Sequence, residues 1–465
     1  MLDLFIKNGM AFIEDSFRKC DIGVKDGKIA FVAATGTFDD SVAGRVIDAE
    51  GKYVIPGGID THVHVRDPGH TDRETFYTGT LAAAAGGCTT MLEHPISSPP
   101  QYKKDILDNR KNIADANCVV DYAFYGAAGG KYTEEIVPLS KEGIVAYKSF
   151  LHQAPAGREG EFIGLTLASD AEIMAGMREI AKTGLMMASH AENNDMIVQN
   201  IADFRAKGWT KPIDHCKSRP AITEYSTVSK LILMAKETGC KLELAHMSTP
   251  ESCELAKTAK REGQPVFVET CPHYLLLDES YLEKFGSFAR CNPPLRAPEV
   301  VAKMWDYVND GTIDFIGSDH APFTMEEKMQ GQDDIFKAFC GFPGIDTRLP
   351  LMIDAAVEGK TTLKRVIELL CVNPAKCFNI YPQKGNLLAG ADADIVIFDL
   401  NDTMKIDRTK SYSKAREIAR VYDGRELKCK LNYTIVRGRV LMENGVVDTD
   451  SKGYGQLVLP QGYAK

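Results

Sequence analysis

The chain has no long apolar run. None of its 465 residues falls in a stretch approaching the roughly 20 consecutive apolar residues that span a bilayer, so no membrane partner is expected. The opening Met1-Leu2-Asp3-Leu4-Phe5 lacks a basic start followed by an extended apolar segment, and no signal peptide is expected. An excess of positive charge is missing too. The 55 lysines and arginines are outnumbered by 64 aspartates and glutamates, for a net charge of -9. That balance speaks against nucleic acid as a partner and does not identify a substrate. The 12 cysteines form no CxxC pair, and Cys88, Cys240 and Cys371 sit inside apolar runs. Reduced thiols in a cytoplasmic protein fit this better than a disulfide framework. Low-complexity linkers and internal repeats are absent. No GxGxxG pattern follows Gly86-Gly87, so tight helix–strand packing is the expected reason for that pair, not a phosphate loop.

What is present is an alternation of short apolar runs with amphipathic stretches. Strand candidates lie near 54–60, 88–93, 119–125, 143–149, 185–190, 241–246, 265–270 and 313–319. Amphipathic segments at 75–85, 170–183 and 223–238 read as helices between them. The pattern predicts an α/β fold, a (β/α)8 TIM barrel over 54–385, with its active site at the C-terminal strand ends. Residues 1–53 and 386–465 differ. Short β-rich runs precede Asn8-Gly9, Asp26-Gly27 and Arg437-Gly438, which signals hairpins. Both termini together are expected to build one small β-sandwich-like domain beside the barrel.

Polar residues end several of the apolar runs. His62 and His64 are two apart at the end of Tyr53-Val54-Ile55-Pro56-Gly57-Gly58-Ile59-Asp60-Thr61. Alternate strand residues share a side, so both imidazoles can reach one point, as half a zinc site requires. A lone His-x-His is as often structural as functional. Here His190, His246 and Asp319 each end a further apolar run, in a chain with only 10 histidines. Lys148, near the end of Gly143-Ile144-Val145-Ala146-Tyr147, is a sixth candidate. A lysine there is costly unless paired or modified, and by itself it reads as a partner for a carboxylate or solvent.

This set resembles the binuclear metal-dependent amidohydrolase superfamily, in the branch of hydantoinases, dihydropyrimidinases, allantoinases and dihydroorotases. The resemblance covers essentially the whole chain. It rests on Pro56-Gly57-Gly58-Ile59-Asp60-Thr61-His62, His190-Ala191-Glu192-Asn193, His246-Met247-Ser248-Thr249, Glu269-Thr270-Cys271-Pro272-His273-Tyr274 and Gly317-Ser318-Asp319-His320-Ala321-Pro322. It implies that Lys148 is carboxylated on its side-chain nitrogen (N6-carboxylysine) and bridges two divalent metal ions. His62, His64, Lys148 and Asp319 would hold one ion, and Lys148, His190 and His246 the other. Such ligands suit zinc, with manganese, cobalt or iron as substitutes. Asp319 would be the catalytic proton carrier. The reaction implied is hydrolysis of a ring C(=O)–N bond. Glu93 and Glu269 are candidates to hydrogen-bond metal ligands. His94, His152 and His273 read as pocket or structural residues, and His320 fits either role.

The substrate signals diverge. Arg66 matches the dihydroorotase arginine that grips a carboxylate, but Ile96 stands where that clamp has an asparagine. Glu93-His94-Pro95-Ile96 with Pro99-Pro100 is closer to L-type hydantoinases and to allantoinases, and Asn373-Pro374-Ala375-Lys376 leading to Tyr381-Pro382-Gln383-Lys384-Gly385 resembles L-type hydantoinases. Gln153 takes the place of the D-hydantoinase tyrosine, and Cys340, before Gly341, that of an asparagine. Asn292 falls where main chain reads the amide edge of the ring. The 152–162 loop is expected to cover the pocket, with Arg158 facing solvent. The resemblance thus implies a hydantoin- or dihydropyrimidine-opening enzyme acting on a small cyclic amide as a homodimer or homotetramer. Allantoinase, then dihydroorotase, are the enzymatic alternatives, and a catalytically dead binding or assembly protein is the non-enzymatic one.

Overall fold

The computed structural model describes residues 1–155 and 157–463. Eight parallel strands form one sheet in sequential order: Gly58–Val63, Cys88–Glu93, Asp121–Ala127, Ala146–Phe150, Met186–His190, Lys241–Leu244, Val266–Thr270 and Phe315–Ile316. Nearly every strand residue is buried, as in a parallel sheet covered by helices. The last strand is only two residues long. Closure of the barrel therefore falls to the backbone beyond it. His320 N donates to His62 O at 3.2 Å and His64 N donates to His320 O at 2.9 Å. The (β/α)8 barrel expected from the sequence is the observed fold.

The helices follow the same logic. Asp170–Ala181 starts at Ser169, whose hydroxyl accepts from Glu172 N while the Glu172 carboxylate accepts from Ser169 N. This reciprocal cap is worth about 1 kcal/mol. Ile173, Met177 and Ile180, at i, i+4 and i+7, face the barrel and are buried.

The first strand candidate, 54–60, divides in two. Tyr53–Pro56 belongs to the terminal sheet, where it pairs with Leu2–Ile13 and Ile395–Asp399, and the barrel strand starts at Gly58. A Cβ on Gly57 would lie 2.1 Å from Thr89 Oγ1, so only glycine makes this step between sheets. Gly86 and Gly87 do serve close packing: a Cβ on Gly86 would lie 2.5 Å from Asp346 Cα.

Both termini join in one nine-stranded mixed sheet. One face gathers Leu4, Ile6, Ile22, Ile47, Ile395 and Ile435 into an apolar cluster. That cluster is drawn almost wholly from the sheet's own strands, so the sheet folds over itself. Phe12, Ile55 and Phe398 on the other face join the barrel core. Asp26-Gly27 and Arg437-Gly438 are turns with positive φ. Asn8-Gly9 is not: it is a bulge within Leu2–Ile13. Asn8 N is satisfied there by Asp21 Oδ1 at 2.8 Å, and a Cβ on Gly9 would meet Val54 at 2.5 Å. No described helix is long and apolar enough to cross a membrane.

Candidate active site

The C-terminal strand ends bring the six candidates together. His62 Nε2 and His64 Nε2 lie 3.4 and 3.3 Å from the same oxygen, Asp319 Oδ1. His190 Nδ1 and His246 Nε2 lie 3.0 Å apart. Lys148, from the fourth strand, is fully buried, and its Nζ has no hydrogen-bond partner among the described residues. Its charge acts on His62, His64, His190 and His246 alike. Arg66, His246 and Asp319 adopt φ values of 67°, 47° and 47°, the left-handed region that non-glycine residues avoid. Backbone strain therefore sits where the strands hand over to the site.

The donor set fits divalent cations. Tetrahedral Zn–N and Zn–O bonds place ligand atoms about 3.3 Å apart, which both Asp319 contacts match. Burial pushes His62, His64 and His246 well below the usual histidine range, leaving the neutral imidazole that binds metal. Burial also lowers the Lys148 pKa. A neutral amine is the form that reacts with carbon dioxide, and the resulting carbamate would turn an orphaned donor into an anionic oxygen ligand. Burial raises Asp319 to about 7, which a bound cation would counter.

Further side chains orient the ligands. Glu269 Oε1 lies 2.9 Å from His62 Nδ1. That contact needs Gly317, whose Cβ would lie 2.5 Å from Glu269 Oε1 and 2.7 Å from His62 Cβ. His190 Nε2 lies 2.8 Å from Glu192, which Arg219 holds in turn. His94 stacks on His62 at 3.8 Å between ring centres, with Nε2 3.0 Å from Thr61 O. Glu93 has another task. It receives both ends of the Arg110 guanidinium, at 2.7 and 2.8 Å, and touches no ligand. His320 faces Glu74 and Gly344 N, and His273 packs on Tyr274 and Phe342.

Above this cluster opens a cavity of about 780 Å³. Arg66, Asn292, Cys340 and Gly341 line it, as does Ile96. Gln153 does not; it is exposed, because Phe150 and His152 take the inward positions where the strand ends. Part of the 152–162 loop covers the cavity through Pro155, Gly157, Arg158 and Phe162. Ala156 lies outside the described residues. Arg158 turns inward: its Nε and Nη2 donate to Glu161 at 2.9 and 2.7 Å.

The sequence reading missed the roles of Glu192, Arg219, Arg73, Glu161, Glu327 and Lys328. Glu192 stood within a quoted motif, and its place two residues after His190 was the one available signal. Arg73 pairs with Glu161 and Glu327 across loops far apart in the chain. Lys328 is fully buried and donates to Phe339 O and Gly341 O at 2.9 and 2.7 Å, fixing the cavity wall.

Comparison with known proteins agrees with this geometry. The model of the amidohydrolase family matches residues 53–441. An L-hydantoinase of Paenarthrobacter aurescens is 35% identical over 100% of this chain and 99% of its own. An allantoinase of Deinococcus radiodurans is 32% identical over 96% of each chain. Among solved structures, an L-hydantoinase (dihydropyrimidinase) from Arthrobacter aurescens superposes with a TM-score of 0.94 at 35% identity, covering 99% of this chain and 100% of that one.

Proposed function

The chain belongs to the amidohydrolase family, and on that footing we propose that it opens hydantoin- or dihydropyrimidine-type rings to N-carbamoyl amino acids. One observation carries the reading: His62, His64 and Asp319 converge on one side, and His190 and His246 on the other, with an unpartnered Lys148 among them. We assign Lys148, carboxylated on its side-chain nitrogen, with His62, His64, His190, His246 and Asp319, as the residues that would hold two divalent ions, zinc in the first instance. When bound, such ions acidify a water and polarise the substrate carbonyl.

The protein's own groups do the rest. Asp319 takes the proton of the attacking water and delivers it to the departing ring nitrogen, which leaves poorly unless protonated. Glu269 fixes the ring of His62, and Glu192 with Arg219 fixes that of His190. Asn292 and the main chain around it read the amide edge, while Cys340 and Gly341 shape the wall. We place the first crossing between the two structural units at Gly57 and the return near residue 386. The buried thiols favour a cytoplasmic location, and the family resemblance implies a homodimer or homotetramer.

Metal analysis and a substrate panel test the reading together. Near-stoichiometric metal and turnover of hydantoin or dihydrouracil, ahead of allantoin, are expected. Exclusive turnover of allantoin would replace this reading with allantoinase. A protein that purifies metal-free and opens none of these rings would be a binding or assembly relative.

A further inference from the structure

Lys328, on the short helix Met325–Met329, is fully buried, yet no carboxylate answers it among the described residues. The adjacent Glu327 turns to Arg73 instead. What Lys328 meets is backbone. Its Nζ donates to Phe339 O at 2.9 Å and to Gly341 O at 2.7 Å, with Arg290 O at 3.5 Å. Burial pushes its pKa down to about 7. An amine keeps at least two N–H donors in either protonation state, enough for both near carbonyls. A methionine of the same length would fill this space without burying an ammonium group, so packing alone does not account for a lysine here.

The carbonyls it holds belong to the cavity wall, which Cys340 and Gly341 line together with Asn292 on the adjoining strip. The two strips are tied to each other. Gly341 N donates to Arg290 O at 2.8 Å, and the Arg290 side chain donates to Ala338 O. Arg290 Nε also donates to His215 Nδ1 at 3.3 Å, which leaves His215 Nε2 to donate to Cys291 O at 2.9 Å. A trans peptide points its N–H opposite to its C=O, and no cis bond falls in this stretch. With the Phe339 carbonyl turned to Lys328, the Cys340 N–H is therefore turned away from Lys328. That N–H has no acceptor among the described residues. A backbone donor left free on a cavity wall is a group that can fix the orientation of a small ligand. The carbonyl under attack belongs to the metal site, so the urea carbonyl of hydantoin or dihydrouracil is the acceptor that remains.

Resting on the ring-opening activity proposed above, we propose that Lys328 is a positioning residue for ring binding: by holding the Phe339 and Gly341 carbonyls it presents the Cys340 N–H to the urea carbonyl of the substrate. Lys328 touches no reacting atom. It acts through the one peptide between the two carbonyls it grips, so its loss should weaken binding of the ring more than it slows the chemical step.

The test compares hydantoin with 2-thiohydantoin, whose sulfur is a poor acceptor at the urea position, as substrates or competitive inhibitors of the metal-loaded full-length enzyme. Lys328→Met and Lys328→Ala are measured beside the wild type, with metal content and thermal melting as checks. One neutral hydrogen bond corresponds to about 3- to 10-fold in affinity. The wild type should favour oxygen over sulfur by about that factor. Lys328→Met should raise the hydantoin KM by a similar factor, with a smaller change in kcat, and bring the oxygen preference toward one. Ethylammonium, which fits the space vacated in Lys328→Ala, should restore both the KM and the preference. Equal affinity for the two rings in the wild type, with hydantoin still opened, overturns this inference and leaves the activity standing. So does a Lys328→Met protein with the wild-type KM, or a Lys328→Ala protein that ethylammonium does not restore. Failure of the wild type to open any ring overturns both readings.

Discussion

Lys148 is the residue on which the metal reading turns. A buried amine with no acceptor has no structural purpose of its own, and its removal should cost little if it were only packing. We predict instead that Lys148→Ala loses metal and nearly all activity, with partial return of both on adding a short carboxylic acid. Mass analysis of the native protein should show an added carbon dioxide. An active, metal-loaded enzyme with an unmodified Lys148 would sink the mechanism. Asp319→Asn makes a different prediction. The amide keeps the size but cannot carry the proton, so metal largely stays while turnover falls about 10²–10⁴-fold. Retention of more than about a tenth of wild-type turnover, where a proton carrier should cost 10²-fold or more, would remove Asp319 from the shuttle. These residues were legible in the sequence because each stands at the end of an apolar run, where strand alternation fixes its direction. Glu161, Arg73 and Glu327 were not. They meet across 88 and 254 positions of chain, and no local pattern encodes that meeting.

At the scale of elements, eight strands could be counted from apolar runs, but their edges depended on contacts outside the run. Tyr53–Pro56 and Gly58–Val63 read as one strand because only Thr89, 32 residues on, forces the break at Gly57. Asn8-Gly9 carries the composition of a turn, yet the neighbouring strands hold it as a bulge. Glu93 looked like a support for a metal ligand because it ends a strand. Its partner is Arg110, on the helix Lys104–Asn117, and the Arg110 guanidinium also donates to Asp67 O at 3.1 and 2.9 Å. Burial raises the Glu93 pKa even with Arg110 opposing it, so the pair locks a strand to a helix more than it stabilises the fold. Arg110→Met leaves a buried carboxylate unpaired and should cost about 3–5 kcal/mol, read from urea unfolding. Adding Glu93→Leu should recover most of that loss. A double variant no better than the single one would show that the Asp67 contacts, not the ion pair, are what matters.

At the scale of the whole molecule, a buried cation helps to tie the barrel to the terminal sheet. Lys384 is 1% exposed. It meets Asp121 on the third barrel strand together with Asp392 and Asp394 at the start of the terminal sheet's central strand, at 2.5, 3.0 and 2.7 Å. The composite terminal unit was legible from its hairpin signals; this hub was not, because Asp121 lies 263 positions from Lys384 and no local pattern brings it to the Lys384, Asp392 and Asp394 cluster. Desolvation pushes the Asp392 pKa up, but Lys384 and Lys28 outweigh it and hold the carboxyl below 3.8. A depressed carboxyl adds stability above its unfolded value and loses it as pH falls through the folded one. Lys384→Met removes the main cause of that depression and leaves Asp394 without its cation, while Asp392 keeps only Lys28 and Asp121 only Arg437. It should therefore cost about 3–5 kcal/mol near neutral pH. The deficit should shrink toward pH 4, as the acids deprived of Lys384 take up protons that wild-type Asp392 refuses until lower pH. Limited proteolysis should then cut first where the terminal sheet joins the barrel. Unfolding midpoints for both proteins between pH 4 and 8 decide the matter: a deficit that does not change with pH would mean that Lys384 acts by packing, and that its charge does not hold the two units together.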